Sequence, residues 1–172
     1  MFMEKYYIIN QYFMYMVGYY DRNGKLCSKV TQVDKTFLVD RSPLSIIEDS
    51  IKCIGFDLRG ALATSKWIVG NTYMCPVMIN PVLKICVFPT KSFKNEDSIW
   101  LNPNQIIRTS GVYRSTNIEF KNGLTLRVAC RLNSFNTKLQ TAEQLKKITI
   151  EIAKNPMSFV LEPRKNNMQL SH

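Results

Sequence analysis

Histidine, cysteine and acidic side chains perform most of the catalysis and metal binding in proteins, and this sequence holds few of them in a suitable pattern. The single histidine is His172, at the end of the sequence. These residues offer no Cys-x-x-Cys pair, no Cys/His zinc site and no Cys–His or Ser–His–Asp catalytic group. We therefore expect buried thiols in a reducing cytosol, no cofactor and no enzymatic activity. The five cysteines are Cys27, Cys53, Cys75, Cys86 and Cys130.

Lysine and arginine are the residues whose number and position indicate a binding chemistry. The sequence has 23 of them against 13 aspartates and glutamates, which gives a net charge of +10 at pH 7. Residues 1–50 carry six basic and six acidic side chains, whereas residues 101–150 carry eight basic and two acidic ones. A polyanionic partner would explain this asymmetry, with nucleic acid favoured over an anionic membrane. A solvated basic surface without a partner is the alternative.

The length and composition are typical of one globular domain. The 172 residues leave room for one substantial core, and 45% hydrophobic with 21% charged residues are ordinary values. The apolar run over residues 1–20 is interrupted by Asn10-Gln11 and is too short to span a bilayer, so we expect no membrane segment. We predict a single domain over residues 1–155 and a tail over residues 156–172 with one short apolar motif.

Short aromatic and β-branched runs separated by turn signals predict an antiparallel meander in the first part of the chain. A three-residue loop with Gly24 in the left-handed conformation would place Tyr20 opposite Leu26. The expected strands are Tyr6–Ile9, Tyr12–Tyr20, Leu26–Val33 and Thr36–Val39.

An amphipathic helix of about three turns is expected next. Ser42 can cap its start, and Gly55 is placed to end it. Asp57–Lys66 either continues the helix after a break or forms a functional loop, and Trp67–Val69 has the composition of a strand.

Cys75–Leu101 holds two apolar runs, each closed by a proline, followed by Trp100. Neither run alternates polar and apolar residues, so we expect two buried strands with both faces covered. Ile106–Ile107 is a candidate short strand. Ile118–Val128 predicts a hairpin, and a three-residue loop at Lys121–Gly123 would place its apolar residues on one side.

The last predicted element is a helix over Lys138–Lys154, capped by Thr137 or Ser134 and stopped by Asn155-Pro156. The elements together predict an α+β fold, which is an antiparallel, β-rich single domain with an N-terminal meander, one central helix and one C-terminal helix. The expected buried positions of the last helix are Leu139, Ala142, Leu145, Ile148 and Ile152.

Seven short fragments occur in one order along the chain: Asn23–Val30, Pro43–Glu48, Pro76–Pro81, Ile85–Thr90, Ile99–Leu101, Phe120–Gly123 and Asn133–Phe135. Phe88-Pro89-Thr90 with the downstream Trp100 is the most specific combination, because no general rule of folding requires it. In this order the fragments resemble the bacterial competence transcription factor family, ComK, over roughly residues 23–140.

The resemblance implies a cytoplasmic, nucleoid-associated activator of genes for DNA uptake and recombination. Such proteins recognise paired A/T-rich boxes in double-stranded DNA, largely through the minor groove, as dimers that assemble into tetramers. The resemblance also implies regulation by a MecA-type adaptor that delivers the protein to a Clp protease. RNA polymerase is a further implied partner, and no cofactor is implied.

Basic residues in loops are the expected DNA contacts, because the narrow minor groove of A/T-rich DNA attracts arginine and lysine. Lys121 and Arg127 project from the polar face of the predicted hairpin and are assigned to phosphates, which position a protein without specifying sequence. The six candidates expected in loops are Arg59, Lys66, Lys91, Lys94, Arg108 and Arg114.

Two departures from the family pattern bear on function. Family members tend to have Gly-Arg-Lys after the first helix, where this sequence has Gly60-Ala61-Leu62 and carries its charge at Arg59 and Lys66. This departure leaves open an alternative function, a regulatory protein-interaction module that has lost sequence-specific DNA binding. The apolar motif for the adaptor corresponds to Phe159, Val160, Leu161 and Pro163, with Glu162 in its aromatic position.

Overall fold

The computed structural model describes residues 3–70 and 74–157, which form an α+β fold of ten strands and three helices and confirm the predicted class. No helix within these ranges is long and apolar enough to cross a membrane. The strands are β1 (Met3–Glu4), β2 (Phe13–Tyr20), β3 (Leu26–Gln32), β4 (Thr36–Val39), β5 (Val77–Asn80), β6 (Ile85–Pro89), β7 (Ile99–Leu101), β8 (Ile106–Val112), β9 (Ser115–Phe120) and β10 (Thr125–Val128). The helices are α1 (Pro43–Lys52), α2 (Leu58–Val69) and α3 (Leu132–Lys154).

Seven strands form the larger sheet, in the order β1-β4-β3-β2-β7-β6-β5. β2, β3 and β4 are the predicted meander, and both of its pairings are antiparallel. Gly24 has a φ of 77° in the loop between β2 and β3, and Tyr20 lies opposite Leu26, as predicted. The backbone N–H of Asp21 donates to the carbonyl of Lys25 (3.0 Å) and closes this loop.

The strand predicted at Tyr6–Ile9 is wrong. The strand that precedes the meander is the two-residue β1, which pairs with β4 in parallel. Between β1 and β2 the chain is held by side chains of the core. The Tyr7 hydroxyl donates to Gln32 Oε1 (2.7 Å), and the backbone N–H of Ile9 donates to Ser50 Oγ (2.9 Å). The bond to Ser50 satisfies a backbone N–H group that a strand partner would otherwise satisfy.

Two helices, not one, occupy the central part of the chain. α1 begins after Ser42, whose side chain caps it as predicted. Asp57–Lys66 was predicted to be either a helix or a loop, and the structure has the helix α2 there. Because α2 extends to Val69, the strand expected at Trp67–Val69 is wrong. The start of α2 is capped by Asp57 Oδ1, which accepts a hydrogen bond from the backbone N–H of Gly60 (2.6 Å).

β6 lies at the centre of the core, and all five of its residues are buried. Ile85 and Val87 belong to a hydrophobic cluster that includes residues of α1 and α2. Cys86 and Phe88 belong to a second cluster, which includes residues of α3 and β9. Because successive side chains of a strand point to opposite faces, β6 separates the two clusters. The prediction of two buried strands with both faces covered is therefore confirmed for β6. It is wrong for β5, whose residues alternate between buried and half-buried.

β8, β9 and β10 form a separate three-stranded antiparallel sheet with β9 in the middle. The hairpin register predicted for β9 and β10 is confirmed, because Ile118 lies opposite Leu126 and Gly123 has a φ of 86° in the loop. Leu124 is 53% exposed and is an apolar residue that this register leaves outside the core. β8 extends the short strand predicted at Ile106–Ile107 to seven residues.

α3 begins at Leu132 and not at Lys138, so the predicted start is wrong. The caps proposed for it, Thr137 and Ser134, lie inside the helix. Arg131 occupies the N-cap position, and its side chain makes no capping hydrogen bond.

Packing, and not a capping side chain, stabilises the first turns of α3. Phe135 is fully buried, and its ring centroid lies 5.6 Å from that of Phe88 on β6. Ala142 and Leu145 continue the buried face, as predicted, whereas Leu139, Ile148 and Ile152 are only half-buried. The helix ends before Asn155, in agreement with the predicted stop.

Candidate nucleic-acid interface

The outer face of the three-stranded sheet carries two of the predicted DNA-contacting arginines. Alternate residues of β9, such as Ile118, are buried in the core, and the residues between them face away from it. The strand register places Arg108 beside Glu119 and Arg127 beside Asn117, so both arginines lie on the outer face. Arg108 therefore lies on a strand and not in the loop that the sequence predicted.

The turns at the two ends of β9 add two more exposed cations. Arg114 lies in the turn between β8 and β9, and Lys121 lies in the turn between β9 and β10. β9 has six residues, so these turns are separated by roughly 20 Å. We call the four cations the basic row, which consists, in order from the first turn, of Arg114, Arg127, Arg108 and Lys121.

Little acidic charge opposes the basic row. The Nε atom of Arg108 lies 3.8 Å from Glu119 Oε2, beyond hydrogen-bond distance, and the arginine side chain is 71% exposed. Arg127 Nε donates to Asn117 Oδ1 (3.3 Å), which is uncharged. Among the described residues, Arg108 forms an ion pair, and the other three cations of the row form none. Apart from Arg108, which is paired with Glu119, the positive charges of the row are therefore available to an anionic partner.

Basic residues near the N-terminus of α1 are balanced by acidic partners. Lys25 Nζ lies 2.8 Å from Asp40 Oδ1, and Arg41 forms two hydrogen bonds with the carboxylate of Asp49 (2.8 and 2.9 Å). The hydrogen bond from Lys25 lowers the pKa of Asp40, and the bond to Asp49 raises the pKa of Arg41. These charges cancel locally, in contrast to those of the basic row.

Lys91 and Lys94 lie in the loop between β6 and β7, as predicted. The backbone N–H of Lys91 donates to Ser98 Oγ (3.2 Å). The loop packs closely on β2, because a Cβ atom at Gly18 would lie 2.6 Å from the carbonyl oxygen of Glu96. The turn between β9 and β10 contacts the opposite end of β2. The fold therefore places this loop and the turn that carries Lys121 at different ends of β2.

Arg59 and Lys66 lie on α2 and not in a loop, which corrects that part of the prediction. They are seven residues apart, so both lie on one exposed face, about 10 Å apart along the helix axis. Another side of α2, which includes Gly60, Ala61 and Thr64, lines an apolar groove of about 430 Å³ together with residues of β5 and α3.

Tyr113 is an exposed residue of this region that sequence reasoning missed. It precedes Arg114 in the turn between β8 and β9, and its side chain is 103% exposed. The turn has no Asn-Gly or other glycine signal, so the sequence did not identify a hairpin here. The usable signal was two runs of strand-forming residues separated by a gap of two residues.

Two further predictions concern other kinds of site. The adaptor-binding residues Phe159, Val160, Leu161 and Pro163 lie outside the described residues and stay a prediction. In the described ranges, no group of three or more histidine, cysteine, aspartate or glutamate side chains could hold a metal ion. No disulfide joins any of the five cysteines, all of which are described.

Comparison with known proteins relates the chain to one family. The family model described as ComK protein matches residues 3–153. The chain is 27% identical over 118 residues to a competence transcription factor of Bacillus subtilis (strain 168). That alignment covers 68% of this chain and 62% of the relative, so the chain spans less than two thirds of the relative's length. No solved structure matches the chain.

Proposed function

The chain belongs to the ComK protein family, and on this basis we propose that it is a transcription factor that activates genes for DNA uptake and recombination. The similar protein from Bacillus subtilis is named a competence transcription factor. The proposed action is sequence-specific binding to double-stranded DNA with paired A/T-rich boxes, in the cytoplasm at the nucleoid. The observation that carries this proposal is the basic row, in which two exposed arginines lie on the outer face of the sheet and two exposed cations lie in the turns at its ends.

The chemistry of the basic row suits the minor groove of A/T-rich DNA. This groove is narrow and strongly negative, and it attracts inserted arginine side chains. Arg114 lies at the end of the sheet, where it can enter the groove ahead of the other three cations. Arg127, Arg108 and Lys121 follow along roughly 20 Å of the sheet and would contact phosphates, which fix the orientation of the protein.

Paired boxes suggest more than one copy of the chain on each site. We propose a homodimer or a tetramer, in which each copy contacts one box. Arg59 and Lys66 on α2, and Lys91 and Lys94 in the loop before β7, are proposed to contact flanking phosphates. RNA polymerase and a MecA-type adaptor with its Clp protease are the other proposed partners. The residues proposed for the adaptor are Phe159, Val160, Leu161 and Pro163.

Titration of the full chain against two families of duplexes tests the proposal. Each duplex of the first family has two A/T-rich boxes. The separation of the boxes increases from one duplex to the next until it has changed by one helical turn, about 10.5 base pairs. In the second, the same boxes are replaced by G/C pairs. We expect tighter binding to the first family at moderate salt, and a linear fall of log K with log salt concentration. Equal affinity for both families at every separation would contradict sequence-specific binding.

Two matched variants test whether the basic row makes the contacts. Arg127→Ala should reduce the slope of log K against log salt by about 1, because one phosphate contact is lost. Lys29→Ala removes an exposed lysine of β3 outside the row and should leave the slope unchanged. If the chain binds neither family of duplexes, the protein-interaction module is favoured, with the groove beside Gly60 and Ala61 as its candidate surface.

A further inference from the structure

The connection between β8 and β9 consists of two residues, Tyr113 and Arg114, because Val112 pairs directly with Ser115. Tyr113 is 103% exposed and has a φ of 55°, in the left-handed region. That region favours glycine or asparagine, and an aromatic residue there strains the backbone. A fully exposed aromatic side chain is thus held at a position where glycine would be easier to accommodate.

The exposed ring of Tyr113 does not contribute to the packing of the described residues, because Tyr113 is fully exposed. A single exposed apolar residue is ordinary on a protein surface. An exposed aromatic residue on a strained backbone is not, and strained positions of this kind cluster at functional sites. The benefit of the side chain is therefore expected outside the chain.

The hairpin behind this turn is attached to α3 and to the segment just before it. Thr109 Oγ1 donates to Asn136 Oδ1 (2.8 Å), and Thr116 Oγ1 donates to the carbonyl of Cys130 (2.6 Å). A Cβ atom at Gly111 would touch Leu132 at 3.4 Å, so the strand lies close against the helix. The turn therefore projects from a fixed base, and little conformational freedom would be lost when it contacts a partner.

We propose that Tyr113 is a wedge that enters the minor groove of an A/T-rich box together with Arg114, and that its ring packs against a base step there. This inference rests on the proposed function and names the residues that distinguish a box from other DNA. A minor groove about 6 Å wide admits the two side chains of the turn but not the two-stranded ribbon behind them. Proteins that bind this groove frequently insert apolar side chains, phenylalanine among them, between base steps. The rest of the basic row would hold the backbone on either side.

Fluorescence of 2-aminopurine placed in one box tests the wedge, because this base brightens when it is unstacked. We expect the full chain to raise the fluorescence of the A/T-rich duplex, and Tyr113→Ala to abolish the rise and to weaken binding about tenfold. Tyr113→Phe should keep both effects. Tyr6→Ala removes a tyrosine that is 71% exposed elsewhere and should behave as the wild type. Binding to the G/C duplex, which depends on phosphates, should stay unchanged in all variants.

Tyr113→Gly separates loss of the wedge from loss of the fold. Glycine accepts the left-handed backbone, so this variant should melt at or above the wild-type temperature and still lose the fluorescence rise. If the wild type prefers the A/T-rich duplex but Tyr113→Ala and Tyr113→Gly bind it equally well, the wedge is overturned and the proposed function stands. If the wild type shows no preference between the duplexes, both the wedge and the proposed function are overturned.

Discussion

Glu119 places a negative charge inside the basic row. Its carboxylate lies 3.8 Å from Arg108 Nε and would repel a phosphate that approaches the same face. Glu119→Gln should therefore lower the Kd for the A/T-rich duplex about threefold at moderate salt, because the repulsion is removed and Arg108 is freed. Fluorescence anisotropy with the labelled duplex measures this change.

The control for this prediction is Glu48→Gln. Glu48 also neighbours a cation, since its carboxylate lies 3.0 Å from Lys52 Nζ, but the pair lies on α1 and outside the row. The Kd of the control should equal that of the wild type. An unchanged or raised Kd for Glu119→Gln would show that the outer face of the sheet does not meet the DNA backbone.

Buried groups predict how stability responds to alkaline pH. Burial raises the pKa of the Cys86 thiol to about 12, and it also raises the pKa values of Tyr7 and Cys27. Between the unfolded cysteine value of 9.0 and the folded value, the folded chain holds protons that the unfolded chain releases. These three groups should therefore contribute no pH dependence between neutral pH and about pH 9, and the free energy of unfolding should fall as the pH rises further.

Urea denaturation at a series of pH values checks this expectation. The midpoint should decline above about pH 9, and the decline should be shallower in Cys86→Ala, measured relative to that variant's own neutral value. Cys53→Ala removes an exposed cysteine and serves as the control, with the slope of the wild type. A midpoint that stays level to about pH 11 would contradict burial of these groups.

At the scale of elements, the start of α3 is the clearest case of packing without a cap. Phe135 is fully buried against Phe88, so Phe135→Ala should lower the free energy of unfolding by about 3–5 kcal/mol. Thr137 is exposed inside the helix and donates to the carbonyl of Asn133 (2.9 Å), so Thr137→Ala should change it by less than about 0.5 kcal/mol. Urea denaturation measures both. A loss of about 1 kcal/mol in Thr137→Ala would indicate a cap at that residue.

Local signals predicted the elements whose boundaries are set by turns and caps. Gly24 and Gly123 adopt the left-handed conformations that their turns require, and Ser42 caps α1, so the sequence places these boundaries correctly. α2 was ambiguous because Gly60 and the run Trp67–Val69 weaken its helical pattern, and packing decides between helix and strand there.

The candidate site was predictable in composition but not in arrangement. The excess of basic residues over residues 101–150 indicated where a polyanion would bind. The register that places Arg108 and Arg127 on one face depends on the hairpin of β8 and β9, whose turn at Tyr113 carries no glycine. That turn is stabilised by packing of the hairpin against α3, which is distant in the sequence. A local sequence pattern therefore does not predict the turn.

For the whole molecule, the distribution of charge connects the fold to the proposed function. The ion pairs at the start of α1 neutralise positive charge there. In the three-stranded sheet, most of the positive charge has no acidic partner among the described residues. The sheet is held on the larger sheet and on α3 through a shared apolar cluster, so the basic row is presented on a fixed surface. An uneven charge distribution of this kind steers association with DNA and makes it salt-dependent.

Binding to duplexes with inosine in their boxes tests the central claim, which is recognition of A/T-rich DNA through the minor groove. An inosine–cytosine pair has the minor-groove pattern of A·T, because it lacks the guanine amino group, and the major-groove pattern of G·C. We predict that a duplex with inosine–cytosine boxes binds within about threefold of the A/T-rich duplex and at least about tenfold more tightly than the G/C duplex. Binding as weak as that of the G/C duplex would contradict minor-groove recognition.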